Sequence, residues 1–396
     1  MPLTKDSRLP SPAPEALALS ERLLQRMRHE SRATGNWLSF HRYMELALYA
    51  PGLGYYAAGS HKLGAAGDFV TAPEISPLFG DCMARQCAQV LDALGGGEIL
   101  EFGAGTGRLA AQVLDTLAGM DALPDRYLIL ETSPDLRERQ QAALSTLPRA
   151  LSSRVRWLDA MPEPAGFRGV MLANEVLDAM PVELFVWRKD GVLRRGVRVS
   201  ASGLEWADRP ADARLARQVR SLYQGVDESW GEGYLSEFNP GLAPWLAAVS
   251  GAMAAGVLLL VDYGYPRREY YSAERRQGTL IAHYRHRMLE HPLLWPGLMD
   301  ITANVDFSAV AEAGAAADLS LLGYTSQAWF LFGTGLEAAF QARCSEDLKT
   351  QLTLASQVRR LTLPGEMGER FQVMALGRGV EMPLMGFALQ DLSHRL

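Results

Sequence analysis

Short apolar runs alternate with stretches of helical periodicity after Gly97: EILEF at 98–102, RYLILE at 126–131, VRWLD at 155–159, GVMLANE at 169–175 and VLLLVDYG at 257–264. Runs that are apolar throughout suit strands buried on both faces, and strands alternating with helices predict a parallel sheet covered on both sides. A closing pair, YTSQAWFLF at 324–332 and RFQVMALGR at 370–378, is expected to complete the sheet. The fold class expected is α/β, with a doubly wound, mostly parallel, Rossmann-like sheet of seven strands.

Ahead of Gly97 the periodicity is helical. Leu, Met and aromatic residues recur at helical spacing from Pro14 to about Ala50, and SFHRYMELALYAPGLGYYA ends one helix in a Pro/Gly turn. Ser76 followed by Pro77 has the form of an N-cap with proline at the first helical position, so a loop should feed a long helix there. Downstream the alternation breaks twice. LFVWRKDGVLRRGVRVSASGLEW, from Leu184, shows period-2 segments around Asp190-Gly191 and Ser202-Gly203, the first of which is a strong hairpin signal. A second irregular stretch follows Pro266. The expected organisation is a helical segment and loop over residues 1–90, then a domain over 91–396 with antiparallel insertions at about 184–240 and 266–320.

Composition then narrows the chemistry. Of the 396 residues 48% are hydrophobic, enough for a large core in one elaborate domain or two. A formal net charge of −6 offers no clustered basic footprint for a phosphate backbone, which disfavours nucleic acid as a partner. Cys82, Cys87 and Cys344 form no C-x-x-C pair, so neither a disulfide framework nor a structural zinc site is expected. The opening MPLTKDSRLPSPAPEALALSERL lacks the features of a signal or transit peptide, and the apolar runs are too short to span a membrane. The expectation is a soluble, cytoplasmic protein. His283 and His286 in HYRHR lie close together, yet no cysteine or acid cluster accompanies them at ligand spacing, so no metal is expected. Arg267, Arg268, Arg275 and Arg276 form a local basic run suited to a solvated loop.

Chemistry concentrates where the first strand ends. Gly103, Gly105 and Gly107 follow Phe102 and precede a helix beginning near Leu109, which puts bare backbone in the crevice where open α/β sheets bind ligands. A dinucleotide fingerprint would need a third glycine at the position of Arg108, and no nucleoside-triphosphate loop occurs. Glu101 precedes the loop, and Glu131 ends the second strand, where a carboxylate suits the vicinal hydroxyls of a ribose. Asp159 follows the third strand, placed to accept from an adenine amino group, and Asn174-Glu175 ends the fourth. S-adenosylmethionine carries a positive sulfonium and no pyrophosphate. Acids with close-approaching glycines fit it better than a phosphate loop would.

The blocks ILEFGAGTGRLA, GDFVTAPEISPLFG, LANEVLDAMPVELF, LLLVDYGYP and PGLMDITANVDF resemble the signature blocks of the MidA family, bacterial relatives of the mitochondrial complex I assembly factor that methylates a protein arginine. They extend from about Tyr43 to Arg378, nearly the whole chain. The resemblance implies a class I methyltransferase using S-adenosylmethionine and, for the mitochondrial relatives, symmetric arginine dimethylation of an NADH dehydrogenase subunit. It also implies that GDFVTAPEISPLFG covers the cofactor, with Thr71, Glu74 and Ser76 toward its amino-acid end. Capping by Ser76 and a dipole contact by Glu74 are the alternative, and cap and contact can coexist. Many relatives carry another residue in place of Asn304, so that position receives no catalytic role.

Methyl transfer is an in-line displacement, in which an enzyme mainly positions the nucleophile and manages its proton. An arginine acceptor calls for carboxylates matching its forked donors. Asn174 and Glu175 are expected to hold the acceptor nitrogen, with Asp178 or Glu183 as a second acid, Asp262 and Tyr263 pointing into the same crevice, and Asp300, Thr302 and Asp306 along the acceptor side. Two other functions remain open from sequence: methylation of a small N- or O-acceptor, and a catalytically silent assembly chaperone keeping this fold.

Overall fold

The computed structural model describes residues 9–58, 71–226, 230–285, 287–289, 291–345 and 347–396. Its central sheet holds β1 (Glu98–Phe102), β2 (Tyr127–Leu130), β3 (Val155–Leu158), β4 (Phe167–Asn174), β5 (Met253–Tyr265), β6 (Val305–Asp306), β7 (Ser320–Ser326) and β8 (Phe371–Arg378). The strand order is β7-β8-β5-β4-β1-β2-β3, with the short β6 paired in parallel to the end of β5. The strands from β5 to β3 are parallel, whereas β8 runs antiparallel to both its neighbours. The result is an α/β fold around a mixed sheet.

Alternation of side chains across the pleat explains why these strands read as continuous apolar runs. Ile99, Val170 and Val257 face one buried cluster, while Leu100, Met171 and Leu258 face another. Helices Pro77–Leu94 and Arg108–Gly119 cover the first face, and helices Leu242–Ala252 and Phe307–Ala316 cover the second. Gly169 permits the close approach of β4 to β1, since a Cβ there would lie 1.9 Å from the Glu98 carbonyl oxygen. Ser76 caps Pro77–Leu94 by accepting from the Leu78 N–H, as its Ser-Pro signal predicts.

The first insertion is antiparallel. Strands Glu183–Arg188, Gly191–Ser200, Gly203–Pro210 and Tyr234–Phe238 join the N-terminal strand Trp37–Ser39 in one sheet. Its two hairpins close at Arg188 opposite Gly191 and Ser200 opposite Gly203, so the loops are Lys189-Asp190 and Ala201-Ser202, one residue ahead of the expected dipeptides, and each glycine begins the returning strand. The second insertion carries a smaller sheet of Ile281–Tyr284, Arg287–Leu289 and Asp300–Thr302. Helices Pro14–Ser31 and Phe40–Tyr49 share a core with both insertions: Leu23 and Met44 pack in one cluster with Leu184, Val197, Leu298 and Ile301.

One expected strand is half helix. YTSQAWFLF is extended only as far as Ser326, after which Gln327–Gly333 coils, burying Ala328, Phe330 and Leu331 and exposing Trp329 and Phe332. A short apolar run has the same appearance in either conformation, and here the spacing of the buried residues is helical.

Candidate active site

The carboxyl ends of β1, β2, β4 and β5 open onto a cavity of about 420 Å³. Gly103, Gly105 and Gly107 have φ of 60°, 54° and 81°, left-handed values that glycine adopts at little cost. Gly103 and Gly105 line the cavity; Gly107 does not. Gly107 serves the turn itself, capping helix Arg108–Gly119 at a φ that side-chain-bearing residues rarely adopt. Its expected place as a ligand contact is corrected accordingly.

Gln140, fully buried, ties this loop to the second strand. Its amide donates to the Gly105 carbonyl and to Glu131 Oε2, each at 3.0 Å, while its Oε1 accepts from the Trp157 indole. Glu131 Oε1 accepts from the Ser133 N–H. Burial raises the Glu131 pKa, opposed by these hydrogen bonds. A carboxylate has about four acceptor positions, so beyond Gln140 and the Ser133 and Thr132 N–H groups Glu131 can still accept from a ligand's hydroxyl. Glu101 also lines the cavity; burial pushes it up to about 7 against the stabilising Tyr127 hydroxyl. Phe102, Leu130, Val176, Met180 and Trp245 supply the apolar wall, with Trp245 edge-on to Phe102.

The opposite end is acidic and aromatic. Glu175 sits at φ 54°, unusual for a side-chain-bearing residue, and is held there by its N–H donating to the Val261 carbonyl at 2.8 Å. Such strain marks functional positions. Burial raises its carboxyl well above the usual range, with Asp178 and Asp300 adding repulsion. Asp178 is pushed up to about 6 by burial, against the Tyr263 hydroxyl that donates to it. Tyr56 donates to Asp300 at 2.7 Å and stacks on Tyr49, whose hydroxyl donates to the Ala179 carbonyl. Asn174 Oδ1 is buried with no hydrogen-bond partner among the described residues, leaving an unspent acceptor in the cavity wall.

Several expected residues lie elsewhere. Asp159 ends the edge strand β3 facing solvent, with its side chain 87% exposed and paired to Arg137, and it does not line the cavity. Ser76 spends its hydroxyl on the helix cap and on Gln357, also away from the cavity. Glu183 lies in the antiparallel insertion near Arg194 and does not line the cavity, whereas Asp178 does. Asp262 staples the turn after β4 by accepting from the N–H groups of Leu177 and Asp178; its neighbour Tyr263 reaches the cavity, and Asp262 does not. Asp306 caps helix Phe307–Ala316 and pairs with Arg267, which takes that arginine out of the expected solvated run.

Thr71, Glu74, Asp300 and Thr302 do line the cavity. Glu74 accepts from the Thr106 hydroxyl of the glycine loop. The covering loop over 59–70 lies outside the described residues, as does His286. Among the described residues no group of His, Cys, Asp and Glu could hold a metal ion, and His283 lines the cavity instead. Nothing in the sequence singles out Tyr49, Tyr56, Gln140 or Trp245, which come from elements remote from the glycine loop, and His283 enters there only as a candidate metal ligand.

Comparison with known proteins agrees with this geometry. The profile of an S-adenosyl-L-methionine-dependent methyltransferase family matches residues 82–325. A Burkholderia thailandensis protein solved bound to S-adenosyl-homocysteine is 45% identical, superposing with a TM-score of 0.92 over 98% of this chain and 100% of that one. Curated relatives named mitochondrial protein arginine methyltransferase NDUFAF7 or its homologue match at 28% identity in Danio rerio, over 91% of this chain and 87% of the relative, and at 29% in Drosophila melanogaster, over 96% and 92%. Those names place the relatives in mitochondria and overturn the cytoplasmic location expected from the sequence. No helix among the described residues is long and apolar enough to cross a membrane. With a family profile covering more than half its length and a cavity built from glycine turn and strand-end acids, the chain belongs to the S-adenosyl-L-methionine-dependent methyltransferases.

Proposed function

We propose that the enzyme methylates an arginine side chain of a protein, by symmetric dimethylation, and that the substrate is a subunit of a respiratory NADH dehydrogenase under assembly. The observation that carries the arginine reading is the convergence of Glu175, Asp178 and Asp300 with Tyr49, Tyr56 and Tyr263 on one cavity. Arg108 is the one Arg or Lys lining that cavity among the described residues, and it lies 3.6 Å from Glu74 beside the glycine loop. Three carboxyls gathered at one end of a cavity suit a cation that arrives with the substrate. The names of the curated relatives support the same reading.

The cofactor, when bound, supplies a methyl carbon made electrophilic by its sulfonium. Glu131 is positioned to accept from a ribose hydroxyl, Gly103 and Gly105 allow close backbone approach, and Glu101, Asn174, Thr71 and Glu74 complete the polar contacts. Glu175 and Asp178 would receive the guanidinium in forked hydrogen bonds, and Glu175 as the carboxylate would take the proton that the acceptor nitrogen gives up on methylation. The raised pKa of Glu175 suits it to keep that proton. The division of the chain follows: the central sheet holds the cofactor, while the N-terminal segment and the two insertions frame a large acceptor.

Incubating the protein with methyl-labelled cofactor and cell lysate, then mapping label by mass spectrometry, tests this. Dimethylarginine in a protein supports it; label confined to small molecules, or cofactor binding with no label anywhere, overturns it. Glu175→Gln should retain S-adenosyl-homocysteine binding and lose transfer, and retained turnover would remove Glu175 from the role.

A further inference from the structure

A second cavity, of about 630 Å³, lies behind the acceptor wall. The same two chain segments separate both cavities: Asp178 and Thr302 face the first, while their near neighbours Leu177 and Asn304 face the second. The partition is braced by hydrogen bonds. The Asn304 N–H donates to the Thr279 hydroxyl at 2.9 Å, Thr279 donates to the fully buried Glu237, and Tyr270, on the far wall, donates to the same carboxylate.

The lining of this second cavity has the opposite polarity. Arg214 and Arg217 project from the amphipathic helix Ala213–Gln224, whose Leu215, Val219 and Leu222 are buried beneath them. Residues three apart on a helix are neighbours, so the two guanidinium groups share one face. Neither has an ion-pair partner among the described residues. The acids that share the cavity, Asp306 and Glu312, are both engaged by Arg267. Gln218 and Asn239 add amide donors. In a chain of net charge −6, this is an exposed pair of forked cations set in a cavity, and Asp212, the acid that acts on Arg214 from the helix N-terminus, is shared with Arg194.

We propose that this second cavity binds an acidic stretch of the acceptor protein, selecting arginines that have glutamate or aspartate nearby in the folded substrate. The chemistry is guanidinium recognition of carboxylates, and the cavity is too large for a single small anion to fill. The proposal rests on the reading of the acceptor as a protein. It assigns the two cavities complementary tasks, acids gripping the substrate's arginine in one and arginines gripping its acids in the other.

The test uses the full chain and a fluorescein-labelled hexaglutamate peptide, followed by anisotropy with S-adenosyl-homocysteine present. Wild type should bind the peptide with an affinity that weakens as salt rises, and the R214E/R217E double variant should lose at least tenfold while its S-adenosyl-homocysteine affinity is unchanged. Equal binding by the double variant, or no binding by wild type at low salt, overturns the proposal. Displacement by inorganic phosphate at concentrations matching the peptide would also overturn it, assigning the cavity to a small anion. If lysate labelling finds no methylarginine yet the double variant loses the peptide, the protein-arginine reading fails and the acidic-peptide site stands. Should both hold, the double variant should show a raised KM for the labelled protein with kcat retained.

Discussion

Gln140 donates through one amide nitrogen to both the Gly105 carbonyl and the Glu131 carboxylate, at 3.0 Å each, without itself lining the cavity. The two groups expected to approach the cofactor are therefore held at a fixed separation by a buried side chain behind them. Hydrogen bonds to charged groups are worth about 1.5–3 kcal/mol. Gln140→Leu keeps comparable bulk and removes both bonds, and it should weaken S-adenosyl-homocysteine binding by about tenfold or more at little cost in kcat at saturating cofactor. Calorimetric titration with a parallel kcat measurement checks this; unchanged affinity would show that the loop and Glu131 hold their places unaided.

The acidic end makes a prediction about pH. Burial pushes Asp178 up to about 6, and the Tyr263 hydroxyl opposes that rise by hydrogen bonding its ionised form. Asp178 must be ionised to attract a guanidinium, so kcat/KM should climb with pH through its apparent pKa. Tyr263→Phe removes the opposing bond and should move this limb up by about 1–2 units. The measurement is a pH profile of kcat/KM for both proteins. A limb that stays put assigns it to another carboxyl, with Glu175 first in line.

These residues were unequally legible in the sequence. Strands buried on both faces appear as apolar runs, so β1 to β5 and the acids at their ends could be placed from the chain alone, and Glu101, Glu131, Asn174, Glu175 and Asp178 do converge on one cavity. The Ser76-Pro77 cap was equally readable, and Asp190-Gly191 located the hairpin, although its turn falls one residue earlier, at Lys189-Asp190. A strand end, however, does not fix where its side chain points. Asp159 follows β3, the edge of the sheet, and turns to solvent, whereas Glu131 follows the interior β2 and turns in. Tyr49, Tyr56 and His283 reach the site because the N-terminal helices and the second insertion pack together into one cluster, a tertiary fact without local periodicity.

Asp159 supplies a control for that argument. Its side chain is 87% exposed and its pairing is with Arg137, and such surface pairs contribute about 0–1 kcal/mol. Asp159→Asn should leave S-adenosyl-homocysteine affinity within about twofold of wild type and stability nearly unchanged. A large loss of affinity in titration would return this acid to the adenine and require the loop after β3 to fold inward on binding.

Glu101 links the site to stability. Burial pushes its carboxyl up to about 7 from an ordinary 4.5, although the Tyr127 hydroxyl favours the charged form. A carboxyl whose folded pKa lies above its unfolded one favours the native state fully below the unfolded value, and that advantage is lost as pH rises through the folded value. The loss should therefore fall between about pH 4.5 and 7 and amount at most to something on the order of 3 kcal/mol. Glu101→Gln keeps an acceptor for Tyr127 and removes the titration. Relative to wild type it should be more stable at pH 8 than at pH 5, by about 1–3 kcal/mol in denaturant midpoints converted through a common m-value. A difference between the two proteins that does not vary with pH would mean that Glu101 is already charged in the native state, held so by Tyr127 and the neighbouring cavity.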